Sequence, residues 1–219
     1  MMSLTGQSTA DMLAGELRKM INNGTLSDGQ RLVERDLASH FSVSRIPMRE
    51  AIQQLEHDGM VEIFRNRGAV VRTLSGDEID EIYQLRALLE GEALFQSVPN
   101  LNSDILARAE LVHKLLGNTS DFEMQGRYNH EFHDLLYSGC KNKRLLIMID
   151  ELRNQIERYE YLQRRLLANT HKFQDDHENI LAACRQSNSE MAESEIIQHI
   201  QAASQVLKNF INGQDRSLV

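Results

Sequence analysis

A chain of 219 residues, 41% hydrophobic and 26% charged, is long enough for one or two globular domains and lacks the bias of a disordered, collagenous or disulfide-scaffold protein. No apolar run approaches the roughly 18 residues of a membrane helix, and MMSLTGQSTADML has neither the basic nor the apolar region of a secretory signal, so a cytoplasmic protein without membrane association is expected. The formal charge of −8 is unevenly placed: residues 1–76 hold nine Lys and Arg against nine Asp and Glu, so the whole acidic excess falls later and argues against a general nucleic-acid coat.

Within residues 31–73 the pattern is helix, tight turn, helix and short hairpin. Leu37 and Phe41 stand at helical spacing around Ala38. Ser42-Val43-Ser44 breaks that run, and Ser44 is expected as an N-cap whose hydroxyl accepts a backbone N–H of the next turn. Pro47 falls in the first turn, where its missing N–H costs little. Met48, Ile52 and Leu55 form an apolar stripe, and Gly59 closes the helix. Two β-prone runs, Met60–Ile63 and Ala69–Val71, flank Arg65-Asn66-Arg67-Gly68 and predict a two-stranded hairpin.

The charges suit that geometry. Arg45 and Arg49 are four apart and share a face near the start of the second helix, the end that meets base edges in helix-turn-helix proteins. An arginine there can grip guanine O6 and N7 or clamp a phosphate. Ser44 and the neighbouring backbone N–H groups suit a phosphate. Arg35 would reach from the preceding helix, and Arg65 and Arg67 from the hairpin tip.

These residues resemble the winged helix-turn-helix domain of the GntR family of bacterial transcription regulators. The resemblance spans residues 9–73 and rests on Gly24-Thr25-Leu26, Gly29-Gln30-Arg31-Leu32, Glu34, Leu37-Ala38, Val43-Ser44-Arg45, Pro47, Arg49-Glu50-Ala51, Leu55, Asp58-Gly59 and Arg67-Gly68. It implies operator contacts at Arg35, Ser44, Arg45, Arg49 and the wing-tip Gly68.

A boundary is expected at Leu74-Ser75-Gly76. Six helices follow, at about 77–96, 103–117, 121–138, 143–168, 173–187 and 189–211, with breaks at Pro99-Asn100, Gly117-Asn118, Gly139 and Ser187-Asn188. Few aromatics, no Trp and nine Met suggest a helical bundle with an aliphatic core. Cys140 and Cys184 each fall in a helical pattern and are expected as small buried residues in a reducing compartment. The expected fold is mainly α: a winged helix-turn-helix over 1–74 and an all-helical bundle over 77–213 for effector binding and dimerisation.

Asn129 and His133 share a face of the third of these helices, His177 opens the fifth, and His199 lies within the sixth. Three imidazoles and one oxygen donor can hold a divalent ion and leave a position open. By spacing alone His130 and Asp134, also four apart, compete with Asn129 and His133. The segments Asn129–His133, Asp176–Leu181 and Ile197–Ile200 resemble the ligand signatures of the FCD domain, the effector domain of the FadR-type branch of the GntR family, with matching gaps of four, forty-four and twenty-two. The resemblance implies metal ligation by Asn129, His133, His177 and His199, with zinc foremost and nickel or manganese as alternatives. It differs in the first ligand, where most members carry Asp and this chain carries a neutral Asn.

The same resemblance implies a small organic acid as effector, with Arg86, in Leu85-Arg86-Ala87-Leu88-Leu89-Glu90, facing the cavity. Pairing of Arg86 with Glu90 on the helix surface is the competing reading, and Arg153 is a second candidate of the same kind. Six helices rather than seven would place the chain in the VanR-like group. The expected function is a ligand-responsive regulator, commonly a repressor, binding a near-palindromic double-stranded DNA operator as a homodimer. A metal-dependent hydrolase built on the three histidines is the alternative, although Glu131 and Glu178, each next to a proposed ligand, are turned about 100° away on their helices.

Overall fold

The structure is a computed structural model and describes residues 8–65, 68–166 and 172–211. It divides into two compact units at Leu74/Ser75. Among the described residues no helix is long and apolar enough to cross a membrane.

The first unit contains α1 (Thr9–Asn22), β1 (Arg31–Leu32), α2 (Glu34–His40), α3 (Arg45–His57), β2 (Val61–Phe64) and β3 (Gly68–Val71). Two of these elements lie outside the pattern read from residues 31–73. α1 starts at a capping box in which the Ser8 hydroxyl accepts from Asp11 N and the Asp11 carboxylate accepts from Ser8 N. It buries Leu13, Leu17 and Ile21 against Met48, Ile52 and Leu55 of α3. β1 turns the expected hairpin into a three-stranded antiparallel sheet of order β1-β3-β2. Arg31 stands opposite Val70 and Leu32 opposite Ala69, while Val61 to Phe64 pair with Val71 to Gly68. A two-residue strand shows no period in sequence, so only the pairing reveals it. Ser44 is the N-cap residue of α3, but its hydroxyl makes no capping bond. Gly59, at φ +72°, supplies the left-handed turn out of α3 into β2.

The second unit contains α4 (Gly76–Ser97), the 3-10 turn Val98–Asn100, α5 (Ser103–Asn118), α6 (Phe122–Tyr137), α7 (Lys143–Leu166), α8 (Lys172–Arg185) and α9 (Ser189–Ile211). The expected helices and observed ones agree within a residue or two at most ends. α4 begins at a second capping box, Ser75 with Glu78. α4 packs along α9, α5 against α6, and α8 against α9. The core is aliphatic, with Leu94, Leu136, Ile156, Ile180, Leu181 and Ile196 fully buried. Cys140 and Cys184 are both free and buried, but only Cys184 is helical, on α8, while Cys140 lies in the connection between α6 and α7; burial pushes the Cys184 thiol up to about 12.

The turn after α6 ties two elements together through main chain. The Ser97 hydroxyl donates to the Leu136 carbonyl at 2.5 Å and accepts from Gly139 N at 2.9 Å. Asn100 Nδ2 donates to the Gly139 carbonyl at 3.1 Å. A Cβ on Gly139 would collide with the Ser97 carbonyl oxygen and lie 2.8 Å from the Ser97 hydroxyl. Gly139→Ala is therefore expected to lower the melting temperature by roughly 3–10 °C, the cost of overpacking a rigid contact in a chain this size. An unchanged thermal melt by circular dichroism would show that the turn gives way without cost.

Candidate DNA-binding surface and effector cavity

On the first unit, α2, the start of α3 and the sheet enclose a groove of about 530 Å³ lined by Arg31, Glu34, Arg35, Arg45, Arg49 and Gly68 among others. Arg49 donates twice to Glu34, Nε to Oε1 and Nη2 to Oε2, both at 3.0 Å. Arg45 Nη2 donates to the same Oε2 at 3.4 Å. The bonds from Arg49 hold the Glu34 carboxyl below its ordinary range. Arg35 is exposed and pairs with the adjacent Asp36 at 3.0 Å. Arg65 is exposed, and Arg67 lies outside the described residues. Gly68 has φ +76°, and its Cα faces the Arg31 guanidinium, which would stand 3.8–3.9 Å from an added Cβ.

Arg35, Arg45, Arg49 and Gly68 thus line one groove, while Ser44, the N-cap residue of α3, is not among its lining residues. Sequence reasoning missed Glu34 and Arg31. Glu34 is fifteen positions before Arg49 and eleven before Arg45, so no helical period connects them. Glu34 and Arg31 both stand among the positions that carry the family resemblance, but nothing local gave either a role at this surface.

The second unit holds a cavity of about 460 Å³ whose lining includes Arg86, Asn129, His133, Glu160, Arg164, His177 and His199. His133 comes from α6, His177 from α8 and His199 from α9, and their candidate ligand atoms all lie within 4.8 Å of one another. Ring centroids are 5.1 Å apart for His133 and His177, 5.5 Å for His133 and His199, and 4.7 Å for His177 and His199. All three rings are buried. Burial, then the neighbouring His177 and Arg153, depresses the His133 pKa well below the usual imidazole value. Burial, then His199 and His113, does the same to His177. Both rings therefore stay neutral at pH 7 and keep a lone pair for coordination.

The donor set fits a metal ion. Both ring nitrogens of His177 are buried with no hydrogen-bond partner among the described residues, a costly state unless something binds them. His199 Nδ1 lies 3.5 Å from Asp176 Oδ2, and His133 Nδ1 lies 3.5 Å from the Tyr137 hydroxyl. Such partners orient a ligating ring. The competing pair is drawn elsewhere: His130 lies 3.7 Å from Asp150, Asp134 accepts from Arg153 at 3.0 Å, and both line a separate shallow depression. His113 was not singled out by sequence, yet its ring sits 5.9 Å from His177 and 5.7 Å from Phe132.

The two arginines expected for the effector have different surroundings. Arg86 lines the cavity but is buried rather than on the helix surface. Its Nε donates to Glu90 at 2.6 Å and its Nη1 to Glu160 at 2.7 Å. Burial opposes its charge, but the two carboxylates outweigh that and raise its pKa. Arg153 does not line the cavity. It is buried and donates to Asp134, so the structure does not bring it to the place where the sequence reading put it. Glu131 pairs with Arg108, and Glu178 with Arg185 and His113.

A winged helix-turn-helix joined to a six-helix unit with buried histidines is the architecture of a bacterial one-component regulator. The model for "Bacterial regulatory proteins, gntR family" matches residues 9–71, and the FCD domain model matches residues 81–202. A transcriptional regulator of the GntR family from Pseudomonas syringae pv. tomato is 33% identical, covering 96% of this chain and 89% of that one with a TM-score of 0.59. An HTH-type transcriptional regulator of Bacillus subtilis, YdhC, is 29% identical over 90% of this chain and 89% of its own. The gluconate operon transcriptional repressor of Bacillus licheniformis is 29% identical over 81% and 73%. The chain belongs to the GntR family of transcriptional regulators and carries an FCD domain, so the hydrolase alternative is set aside.

Glu34 neutralises part of the charge the groove would offer to phosphate. Glu34→Gln is expected to tighten binding to a random-sequence duplex at low salt by about 3–10-fold, because one fewer acid stands among the arginines. The melting temperature should move little, since exposed ion pairs contribute only about 0–1 kcal/mol. Equal affinity of both proteins in an anisotropy titration would remove Glu34 from the electrostatics of this surface.

Proposed function

We propose that this cytoplasmic regulator binds a near-palindromic operator as a homodimer and represses transcription until a small organic acid enters the FCD cavity. In this reading Arg45 and Arg49 present their guanidinium groups to base edges from the start of α3, Ser44 and the α3 N-terminus take a phosphate, and Arg35, Arg65, Arg67 and Gly68 meet the backbone or the adjacent groove. The unused capping capacity of the Ser44 hydroxyl supports that role. Dimer symmetry would be mirrored in two half-sites.

The observation that carries the sensing half is the cavity with three convergent buried imidazoles, one of them unpartnered at both nitrogens among the described residues. His133, His177, His199 and the Asn129 amide oxygen would hold a divalent ion, zinc before nickel or manganese. When bound, the ion would supply a Lewis-acidic position for a ligand oxygen. The B. licheniformis gluconate operon repressor makes a sugar acid a reasonable first ligand to try. The acid would act by binding one arrangement of the DNA-binding units better than another, and only that difference in affinity can shift the balance.

Two measurements test this. Arg49→Ala should weaken binding to an operator selected from random duplexes by about 1–3 kcal/mol, the value of a base-reading arginine. An unaltered Kd would show that α3 does not read bases through Arg49. Separately, His177→Ala should reduce metal per chain, measured by elemental analysis after equilibrium dialysis against zinc, to a small fraction of that in the unsubstituted protein. Equal content in both would remove His177 from the ligand set.

A further inference from the structure

Arg164, on α7, is a cavity cation without a hydrogen-bonded carboxylate among the described residues. Its side chain lines the cavity beside Glu160 and is mostly buried, with 17% exposed. The carboxylate oxygen paired with it, Glu160 Oε2, is 3.9 Å away, beyond hydrogen-bond reach, and the other oxygen of Glu160 is engaged by Arg86 at 2.7 Å. Its Nε is buried and finds no acceptor among the described residues. The Tyr161 ring, 5.9 Å from its Cζ, offers a cation–π contact and no lone pair. Burial outweighs Glu160 and lowers its pKa, whereas carboxylates raise those of Arg86 and Arg153. A buried guanidinium short of acceptors is one that an incoming anion stabilises.

Helix α6, packed against α7, leaves room for this guanidinium. Gly126, inside α6, carries no side chain where Arg164 lies. A Cβ there would come within 2.8 Å of Arg164 Nη2 and 3.1 Å of Cζ. A glycine in a helix interior costs about 1 kcal/mol relative to alanine, so the gap comes at the expense of helix stability.

We propose that Arg164, seated over Gly126, is the anion-receiving residue of the cavity and binds a carboxylate of the effector through its guanidinium fork, while Arg86 is consumed by its internal carboxylates. This rests on reading the cavity as an acid-binding site and identifies which cation does the binding. An anion on Arg164 needs no bond to Glu90 or Glu160 to be broken, whereas one on Arg86 displaces a carboxylate already at hydrogen-bond distance.

The test uses the full-length protein with D-gluconate, acetate and citrate as probes and uncharged D-glucitol as control. Thermal shift and titration calorimetry are read on the unsubstituted protein, Arg164→Gln, Arg164→Lys and Gly126→Ala. The expected result is that at least one acid binds the unsubstituted protein and glucitol does not. Arg164→Gln should then weaken that acid at least about tenfold, and Arg164→Lys by less, since charge is kept but the fork is lost. Gly126→Ala should weaken it several-fold while the ligand-free melting temperature holds or rises, a separation that general loss of structure does not produce and that serves if Arg164→Gln fails to fold. If an acid binds and the variants that fold bind it as tightly as the unsubstituted protein, the assignment of Arg164 is overturned while the acid-binding reading survives. If glucitol binds as tightly as the acids, recognition is not of charge and the assignment is likewise overturned. If no acid binds the unsubstituted protein, the acid-binding reading falls and this inference with it.

Discussion

The second unit is organised around charge placed inside an aliphatic bundle. Glu90 is fully buried, and its two oxygens accept from Arg86 and from the Tyr137 hydroxyl, the latter at 2.7 Å. Arg86 in turn reaches Glu160 of α7. Glu90 thus ties α4 to α6, and Arg86 ties α4 to α7. Ion pairs of this kind add little net stability, because desolvation offsets attraction, but a misplaced partner leaves a buried charge uncompensated and costs several kcal/mol. Such a network fixes which helix faces meet. The histidines inherit that register, since His133 lies one turn before Tyr137 on α6 and its Nδ1 faces the same hydroxyl.

The first unit uses charge differently. Its core is apolar and continuous from α1 through α3 to the sheet, and its ion pairs lie at the surface. Glu34 gathers Arg45 and Arg49 there into one cluster. An exposed cluster contributes little to folding, yet it sets how the guanidinium groups are held before any partner arrives. The same chemical pair, arginine with glutamate, therefore serves register in one unit and presentation in the other, and burial makes the difference.

Much of this was legible in the residues. The helix stripe Met48, Ile52 and Leu55, the Gly59 stop and the runs around the wing carry local signals that tertiary context did not override. The i,i+4 relation of Asn129 and His133 is fixed by helix geometry, so their shared face followed once the helix was known, while only the packing turned that face, rather than the one with His130 and Asp134, to the cavity. What stayed hidden depends on pairing between distant segments. β1 is too short to show a period. Glu34 was one acid among many until α2 and α3 met. Arg153 and Arg164 both look like arginines on a long amphipathic helix, eleven residues or just over three turns apart and so some 20° apart around its axis. Spacing could not tell which one would reach the cavity and which would be drawn to Asp134.

By itself, then, the amino-acid order determined most of the helices, the wing hairpin and the family, because helix periods, caps and glycine stops act over a few residues and repeat along the chain. The tertiary structure alone decided which charged groups are satisfied: Arg86 by Glu90 and Glu160, Arg153 by Asp134, Arg45 and Arg49 by Glu34, and Arg164 by none within hydrogen-bond reach among the described residues. The physical reason is that an ion pair depends on distance and local dielectric, and both are set only when helices far apart in sequence pack side by side.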